Sequence, residues 1–210
     1  MRLLITAGPT REFIDSVRFL SNPSSGKMGY ALARAAHRRG HEVVLVSGPV
    51  ALEPPPCRCV DVTTAAEMAV ASKRAFRRAQ AAILTAAVCD YRPAHPAAQK
   101  LAKTQRPRRL ELVPTEDIAT SLGARKGRRI IVAFAMEDHD HHRNAERKLK
   151  RKRCDAIVLN GPENIGSDRA AVQILVAGGS WSEVYTASKR VIATRIIRLV
   201  ESLAERGNDD

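Results

Sequence analysis

Aromatic residues make up only 4% of this 210-residue chain. That is too few for a stacking platform that grips single-stranded nucleic acid. No apolar run approaches the ~20 residues that span a bilayer. The strand-like RLLITAG begins at Arg2 and leaves no room for a secretory signal. The expectation is a cytoplasmic protein that works without a membrane. Cys57, Cys59, Cys89 and Cys154 form no C-x-x-C pair, so a zinc site is not indicated and reduced thiols are expected. The turn after the first strand has no G-x-G-x-x-G fingerprint for a dinucleotide. Gly26-Lys27 suggests a P-loop, but Ser21 stands where the loop's first glycine belongs and Met28 where its hydroxyl belongs.

What the chain has in excess is positive charge: 35 Lys and Arg against 22 Asp and Glu, a net +13. The cations cluster in KRAFRR (73–78), KTQRPRR (103–109), RKGRR (125–129) and RKLKRKR (147–153). Such charge suits polyanions, from nucleic acid to phosphorylated metabolites. Most of these runs read as solvated helix faces. A nonenzymatic duplex binder is kept as an alternative, weakened by the scatter of the clusters and by the lack of any zinc-finger or RNP-like pattern. No nucleic acid is expected as a partner.

Short buried strands alternate with longer helical stretches. Strands are expected at RLLITAG (2–8), EVVLVSG (42–48), CVDV (59–62), AAILTAAV (81–88), RLELVP (109–114), RIIVAFA (129–135), CDAIVLNG (154–161), AVQILVAGG (171–179) and SEVYTA (182–187). Helices are expected over 26–40, from Thr64 with a Thr64/Glu67 capping box, over 115–126, over about 141–153 and over about 187–206. Residues 92–107, rich in Pro, Gln, Lys and Arg, read as an exposed excursion. Strands joined by helices imply right-handed crossovers and a parallel sheet covered on both faces. The fold class is therefore α/β, a Rossmann-like three-layer sandwich with a mostly parallel sheet, in a single domain over 1–210.

Ligands bind such sheets beyond the carboxyl ends of the strands. Pro9–Ser25 is a connection several times the usual ~2–6 residues. It ends in SSGKMG, where Ser24, Ser25 and Gly26 would offer helix N–H groups to an anion; either serine also suits a simple helix cap. Asp90 follows a strand directly, as a turn former or as a metal or ribose ligand. Lys100 and Lys103 of KLAK sit in the excursion, where a closing loop could cover a polyphosphate. Lys148 and Lys152 share a helix face, and spacing alone leaves them solvated. EDHDHH (137–142) lacks the spacing that would converge its residues on a metal, so Asp140 reads as a helix cap and the histidines as exposed.

Taken together, ITAGPTRE (5–12), DSVRFLSNPSSGKMGYALA (15–33), EVVLVSGPVAL (42–52), AAVCDYRP (86–93), KLAK, PTEDIA (114–119), AFAMED (133–138) and AERKLKRKRCDAIVLN (145–160) resemble, in order, the phosphopantothenoylcysteine synthetases of coenzyme A biosynthesis. The resemblance implies a ligase that joins 4′-phosphopantothenate to L-cysteine through an acyl-nucleotide. CTP is the nucleotide in most bacterial members and ATP in eukaryotic ones, and CTP is expected here. It implies Mg²⁺ and a homodimer with the active site near the subunit interface. Bacterial members are often fused to a flavin-dependent decarboxylase; here no FMN is expected, and a separate decarboxylase is a conceivable partner.

By matching position, the resemblance makes Asn22 and Lys100 the catalytic candidates. Asn22 would hold the acyl-phosphate intermediate, with Arg18 and Ser24 as weaker phosphopantothenate contacts. Ala86, Asp90, Lys100, Thr115, Asp117, Phe134, Lys148 and Lys152 would bind the nucleotide, with Asp90 facing the metal. There are departures. AFAMED stands where bacterial members commonly have GFAAET, so Met136 reshapes the pocket. KLAKT has one lysine fewer than the family's KxKK, and Cys89 replaces a usual Ala. An NAD(P)-dependent oxidoreductase on the same fold remains the alternative from another class.

Overall fold

The computed structural model describes residues 1–137 and 139–206. In chain order the strands are β1 (Arg2–Ala7), β2 (Arg11–Phe13), β3 (Phe19–Ser21), β4 (Glu42–Ser47), β5 (Arg58–Asp61), β6 (Ala81–Leu84), β7 (Tyr91–Pro93), β8 (Leu112–Pro114), β9 (Ile130–Met136), β10 (Ala156–Asn160), β11 (Arg169–Val176) and β12 (Tyr185–Ser188). The α-helices are α1 (Lys27–Arg38), α2 (Ala65–Phe76), α3 (Ile118–Gly123), α4 (His141–Arg151) and α5 (Lys189–Arg206).

Eight strands form the central sheet in the order β12-β11-β10-β9-β6-β1-β4-β5. The six from β10 to β5 are parallel, and β11 and β12 close one edge antiparallel. β1 alternates its side chains between two cores. Leu3, Ile5 and Ala7 face the layer of α1 and α5 with Leu32, Ile192, Ile196 and Ile197. Leu4 faces the layer of α2, α3 and α4 with Met68, Ile118, Ile131 and Leu149. Period-two alternation with apolar residues on both sides is what a sheet buried on both faces requires. The expected mostly parallel, Rossmann-like three-layer fold is thus the one adopted.

From β1 the chain runs outward to β4 and β5, then returns to β6 and runs the other way to β9 and β10. The order reverses between β1 and β6, and a crevice opens beyond the carboxyl ends of strands at such a reversal. Two glycines shape it. Gly26 enters α1 with φ +74°, a left-handed conformation that favours glycine. At Gly29 a Cβ would stand 2.4 Å from Ala7 Cβ, so the first turn of α1 lies directly against β1.

Several local expectations are corrected. The Pro9–Ser25 connection is a hairpin of β2 and β3, not an irregular loop. RLELVP contributes β8 to a second small ribbon with β7, outside the central sheet. α3 is half the expected length, and β6 ends at Leu84. The Thr64/Glu67 capping box forms as expected, and the buried Glu12 adds a carboxylate to the same helix start through Ala65 N–H at 2.7 Å. Neither serine caps α1: Gly26 is the N-cap residue, and Ser24 Oγ accepts only from Gly26 N–H, at 3.4 Å. Asp140 sits at the N-cap position of α4 with φ 44° and makes no capping bond from its side chain. The four cysteines are free thiols; burial pushes Cys57 up to about 12 and Cys154 up to about 11, so both stay protonated.

Candidate active site

Two cavities meet at the β1/β6 reversal. The larger, about 360 Å³, is walled by Asn22, Ser24, the first turn of α1, Phe134 and Met136, and by Asn160, Asn164 and Lys189 from the β10 side. The smaller, about 220 Å³, is walled by Thr115, Asp117 and Lys152. Ala86, Ala87, Asp90 and Phe134 line both, so the pair forms one cleft with Asp90 at its junction.

Asn22 reaches the cleft floor from the end of the β2–β3 hairpin. Its Nδ2 donates to the carbonyls of Ala87 and Val88, at 3.1 Å each. The amide therefore clamps the hairpin to the segment that leaves β6. Beside it, α1 begins without a side-chain cap and without an acid in its first turn. An uncapped helix start with backbone N–H groups and a positive dipole end attracts an anion. Lys27, on the same turn, pairs with Asp168 at 2.7 Å.

At the other end, Asp117 caps α3 by accepting from Thr120 N–H at 3.0 Å, and it pairs with Lys152 at 3.2 Å. Burial raises its carboxyl, but the Thr120 N–H and the Lys152 charge outweigh burial and hold it below the ordinary carboxylate value. Thr115 lines the cavity with its hydroxyl engaged by the Cys89 carbonyl. Lys148, which shares a face with Lys152, is drawn to Glu137 at 2.6 Å and does not line either cavity. Neither lysine is a solvated surface cation. Met136 is in the cavity wall, where the departure from the usual motif placed its effect.

Lys100 and Arg18 stand apart from the cleft. Arg18 donates to the Leu101 carbonyl and pairs with Asp15 at 3.0 Å. Buried Asp15 accepts from Val17 and Arg18 N–H within the hairpin tip, and from Leu101 N–H at 3.1 Å. Asp15 and Arg18 thus tether the exposed segment that carries Lys100 to the hairpin. The Arg18 N–H leads the interactions that hold the Asp15 carboxyl at about 2 against an ordinary 3.8. Its contribution to stability is full above pH 3.8 and declines as pH falls towards 2. Asp15→Asn keeps an acceptor for the tip but turns an NH₂ towards Leu101 N–H and the guanidinium. Trypsin is expected to cut at Lys100 and Lys103 several-fold faster in this variant, and the melting temperature to fall at neutral pH, where the carboxylate's contribution is lost. An unchanged cleavage rate would show that Asp15 does not tether the segment.

The sequence model of the DNA/pantothenate metabolism flavoprotein C-terminal domain matches residues 1–203. The chain belongs to this family. One relative, a cysteine/cysteine sulfinic acid decarboxylase from an unknown prokaryotic organism, is 43% identical over 96% of the chain and 58% of its own length. The coenzyme A biosynthesis bifunctional protein CoaBC of Bacillus subtilis is 39% identical over 97% of the chain and 52% of its own length. The chain therefore spans little more than half of these relatives. The crystal structure of the C-terminal domain of a CoaBC protein superposes with a TM-score of 0.84 at 38% identity, covering 100% of this chain and 96% of that one. The resemblance seen in the motifs thus leads to the family that the comparisons return.

Within this family fold, Asn22, Ser24, Ala86, Asp90, Thr115, Asp117, Phe134 and Lys152 gather around one cleft, whereas Arg18, Lys100 and Lys148 lie outside its walls. Lys27, Asn160, Asn164 and Lys189 also line the larger cavity, beyond the residues to which the motifs point. Only Lys27 carried a signal, as the lysine of SSGKMG. The histidines of EDHDHH are exposed, and His142 stacks on Trp181 with ring centroids 4.7 Å apart; Asp138 lies outside the described residues.

Proposed function

We propose that the chain joins 4′-phosphopantothenate to L-cysteine, activating the acid with CTP. The carboxylate attacks the α-phosphate and pyrophosphate leaves. The cysteine amine then attacks the acyl carbonyl and CMP leaves. The observation that carries this reading is the two-ended cleft, with an uncapped helix start at one end, a polar Asp117–Lys152 wall at the other and Asp90 between them. A nucleoside triphosphate has the same polarity. Family membership and the CoaBC relatives support the same chemistry.

Bringing a carboxylate to a triphosphate requires positive potential more than a nucleophile. Here the N–H groups of α1 and Lys27 provide it, Asn22 fixes the floor, and Lys152 with Asp117 orients the nucleoside. Lys148 acts from behind, holding Glu137. Lys100 and Arg18 act by way of the tethered segment, which brings Lys100 over the phosphates when it closes. Mg²⁺, when bound, supplies further charge to the phosphates. Among the described residues no group of three His, Cys, Asp or Glu could cage a metal, so Asp90 fits as the single carboxylate of an ion otherwise held by phosphates and water.

The reaction needs no redox group, and we assign no FMN to this chain. Purified protein is expected to be colourless, and a bound yellow chromophore would contradict that assignment. A separate phosphopantothenoylcysteine decarboxylase, which would consume the product, is the partner we associate with this reading. The oxidoreductase reading is disfavoured because β1 leads through Gly8-Pro9 into a hairpin and not into a glycine-rich turn.

We also assign a homodimer. Of eleven large exposed hydrophobics among the described residues, Phe13, Val17, Phe19, Tyr91, Leu110 and Leu112 belong to the two small ribbons and the connections within them. An apolar set this concentrated calls for a cover, and a second copy meets the need. Sedimentation at micromolar concentration is expected to give twice the monomer mass; monomer alone would overturn the assignment. For the activity, protein supplied with phosphopantothenate, cysteine, Mg²⁺ and CTP is expected to release pyrophosphate, with ATP as the alternative co-substrate. A folded sample inactive with both nucleotides ends the ligase reading.

A further inference from the structure

A lysine that no motif pointed to lies in the wall of the larger cavity. Lys189 opens α5, is only 8% exposed, and lines the space into which the first turn of α1 also faces. Its Nζ donates to the Asn164 carbonyl at 2.8 Å. Among the described residues no carboxylate pairs with it, although an ammonium carries three donors and its burial is costly unless compensated. The carbonyl it touches is held rigidly. The buried Asn164 side chain donates to the Ala171 carbonyl at 2.9 Å and accepts from Ala171 N–H at 3.1 Å.

Lys27 converges on the same segment from across the cavity. Its Nζ donates to the Gly166 carbonyl at 2.8 Å and pairs with Asp168. Burial, and then the charge of Lys27, depress the Lys189 ammonium, with Asp168 partly offsetting them. Two cations that repel each other are thus held in the wall of one cavity beside an uncapped helix start. Asp168 serves one of them directly and is largely open to solvent, with 87% of its side chain exposed. A multiply charged anion would relieve the repulsion, use the unfilled donors and compete with Asp168 for Lys27.

We propose that Lys189 and Lys27 together bind a phosphate group in the larger cavity, the pyrophosphate end of the nucleoside triphosphate. This rests on the ligase reading and adds to it a residue on α5, distant in sequence from every motif. The phosphomonoester of phosphopantothenate offers similar chemistry. The pyrophosphate end is favoured because the α1 start and both lysines together present more positive charge than a single monoester needs.

Lys189→Gln separates binding from scaffolding, since its amide still offers an N–H to the Asn164 carbonyl but carries no charge. Its melting temperature is expected to match the wild type, with the KM for the nucleotide and the inhibition constant of pyrophosphate raised by roughly tenfold or more, and kcat changed less. A rise confined to the KM for phosphopantothenate would overturn the assignment to the pyrophosphate end. Unchanged values for both substrates in a folded variant would overturn the site altogether. If the wild type shows no turnover, the ligase reading fails, and calorimetry with pyrophosphate alone decides this proposal: binding weakened by Lys189→Gln supports it, and equal or absent binding overturns it. If the variant does not fold, acetylation of the wild type by acetic anhydride, mapped by mass spectrometry, takes its place. Protection of Lys189 by pyrophosphate supports the site, and lack of protection overturns it.

Discussion

Asn22→Asp is expected to lower product formation by about 100-fold or more, the scale seen when a preorganised donor is lost from an active site. The melting temperature should hardly move. The two effects separate because Asn22 is exposed and lies outside both cores, so the fold does not depend on it. Its Nδ2, however, bonds two carbonyls at 3.1 Å each. An aspartate would set a carboxylate oxygen against two carbonyl oxygens where a donor had joined them. The hairpin and the segment after β6 would then separate at the cleft floor, and a negative charge would stand where the proposed acyl-phosphate must form. This refines the role suggested by the motif: the amide NH₂ is already engaged, so a phosphate oxygen would reach it only by displacing one of these carbonyls. Pyrophosphate release and a thermal melt on the same sample provide the check. A folded variant with the wild-type rate would remove Asn22 from the chemistry.

Whether a feature was legible in the sequence depended on whether its cause was local. β1, β4, β9 and β10 are buried on both faces and appear as apolar runs, which is why their positions were readable. The capping box of α2 needs only Thr64 and Glu67, three positions apart in a single turn. The β2–β3 hairpin was not readable. Its strands are only three residues long and β2 is charged, and the hairpin is fixed by distant partners: Arg11 N–H reaches the Thr63 carbonyl at 2.8 Å, and Asp15 at the tip reaches Leu101. The site divides in the same way. Asn22, Asp90 and Phe134 stand in recognisable motifs at strand ends. The spacing of Lys148 and Lys152 showed a common face but not that Glu137, just after β9, and Asp117, the N-cap of α3, would meet it. Lys189 lay in no motif, because its burial comes from the turn before β11, folded over the start of α5.

Gly29→Ala tests the physical link between fold and site. The added methyl would stand 2.4 Å from Ala7 Cβ, 2.9 Å from Thr85 Oγ1 and 3.1 Å from Ala7 Cα. Two of these atoms belong to a central strand, and Thr85 Oγ1 is held by its bond to the Thr6 carbonyl at 2.8 Å. No side chain can swing aside, so the first turn of α1 must lift from β1. Overpacking of this kind costs about 1–3 kcal/mol, which opposes and at its upper end exceeds the ~1 kcal/mol that alanine gains over glycine inside a helix. The overlap with strand atoms sets the cost near that upper end, and at ~2–4 °C per kcal/mol for a chain of this size the melting temperature should fall by several degrees. The same displacement moves the N–H groups of α1 away from the cleft, so the nucleotide KM should rise in parallel. Scanning calorimetry and nucleotide titration of the turnover rate measure the two effects independently. A variant that melts at the wild-type temperature with an unchanged KM would mean that the contact between α1 and β1 does not set the position of the anion-binding turn.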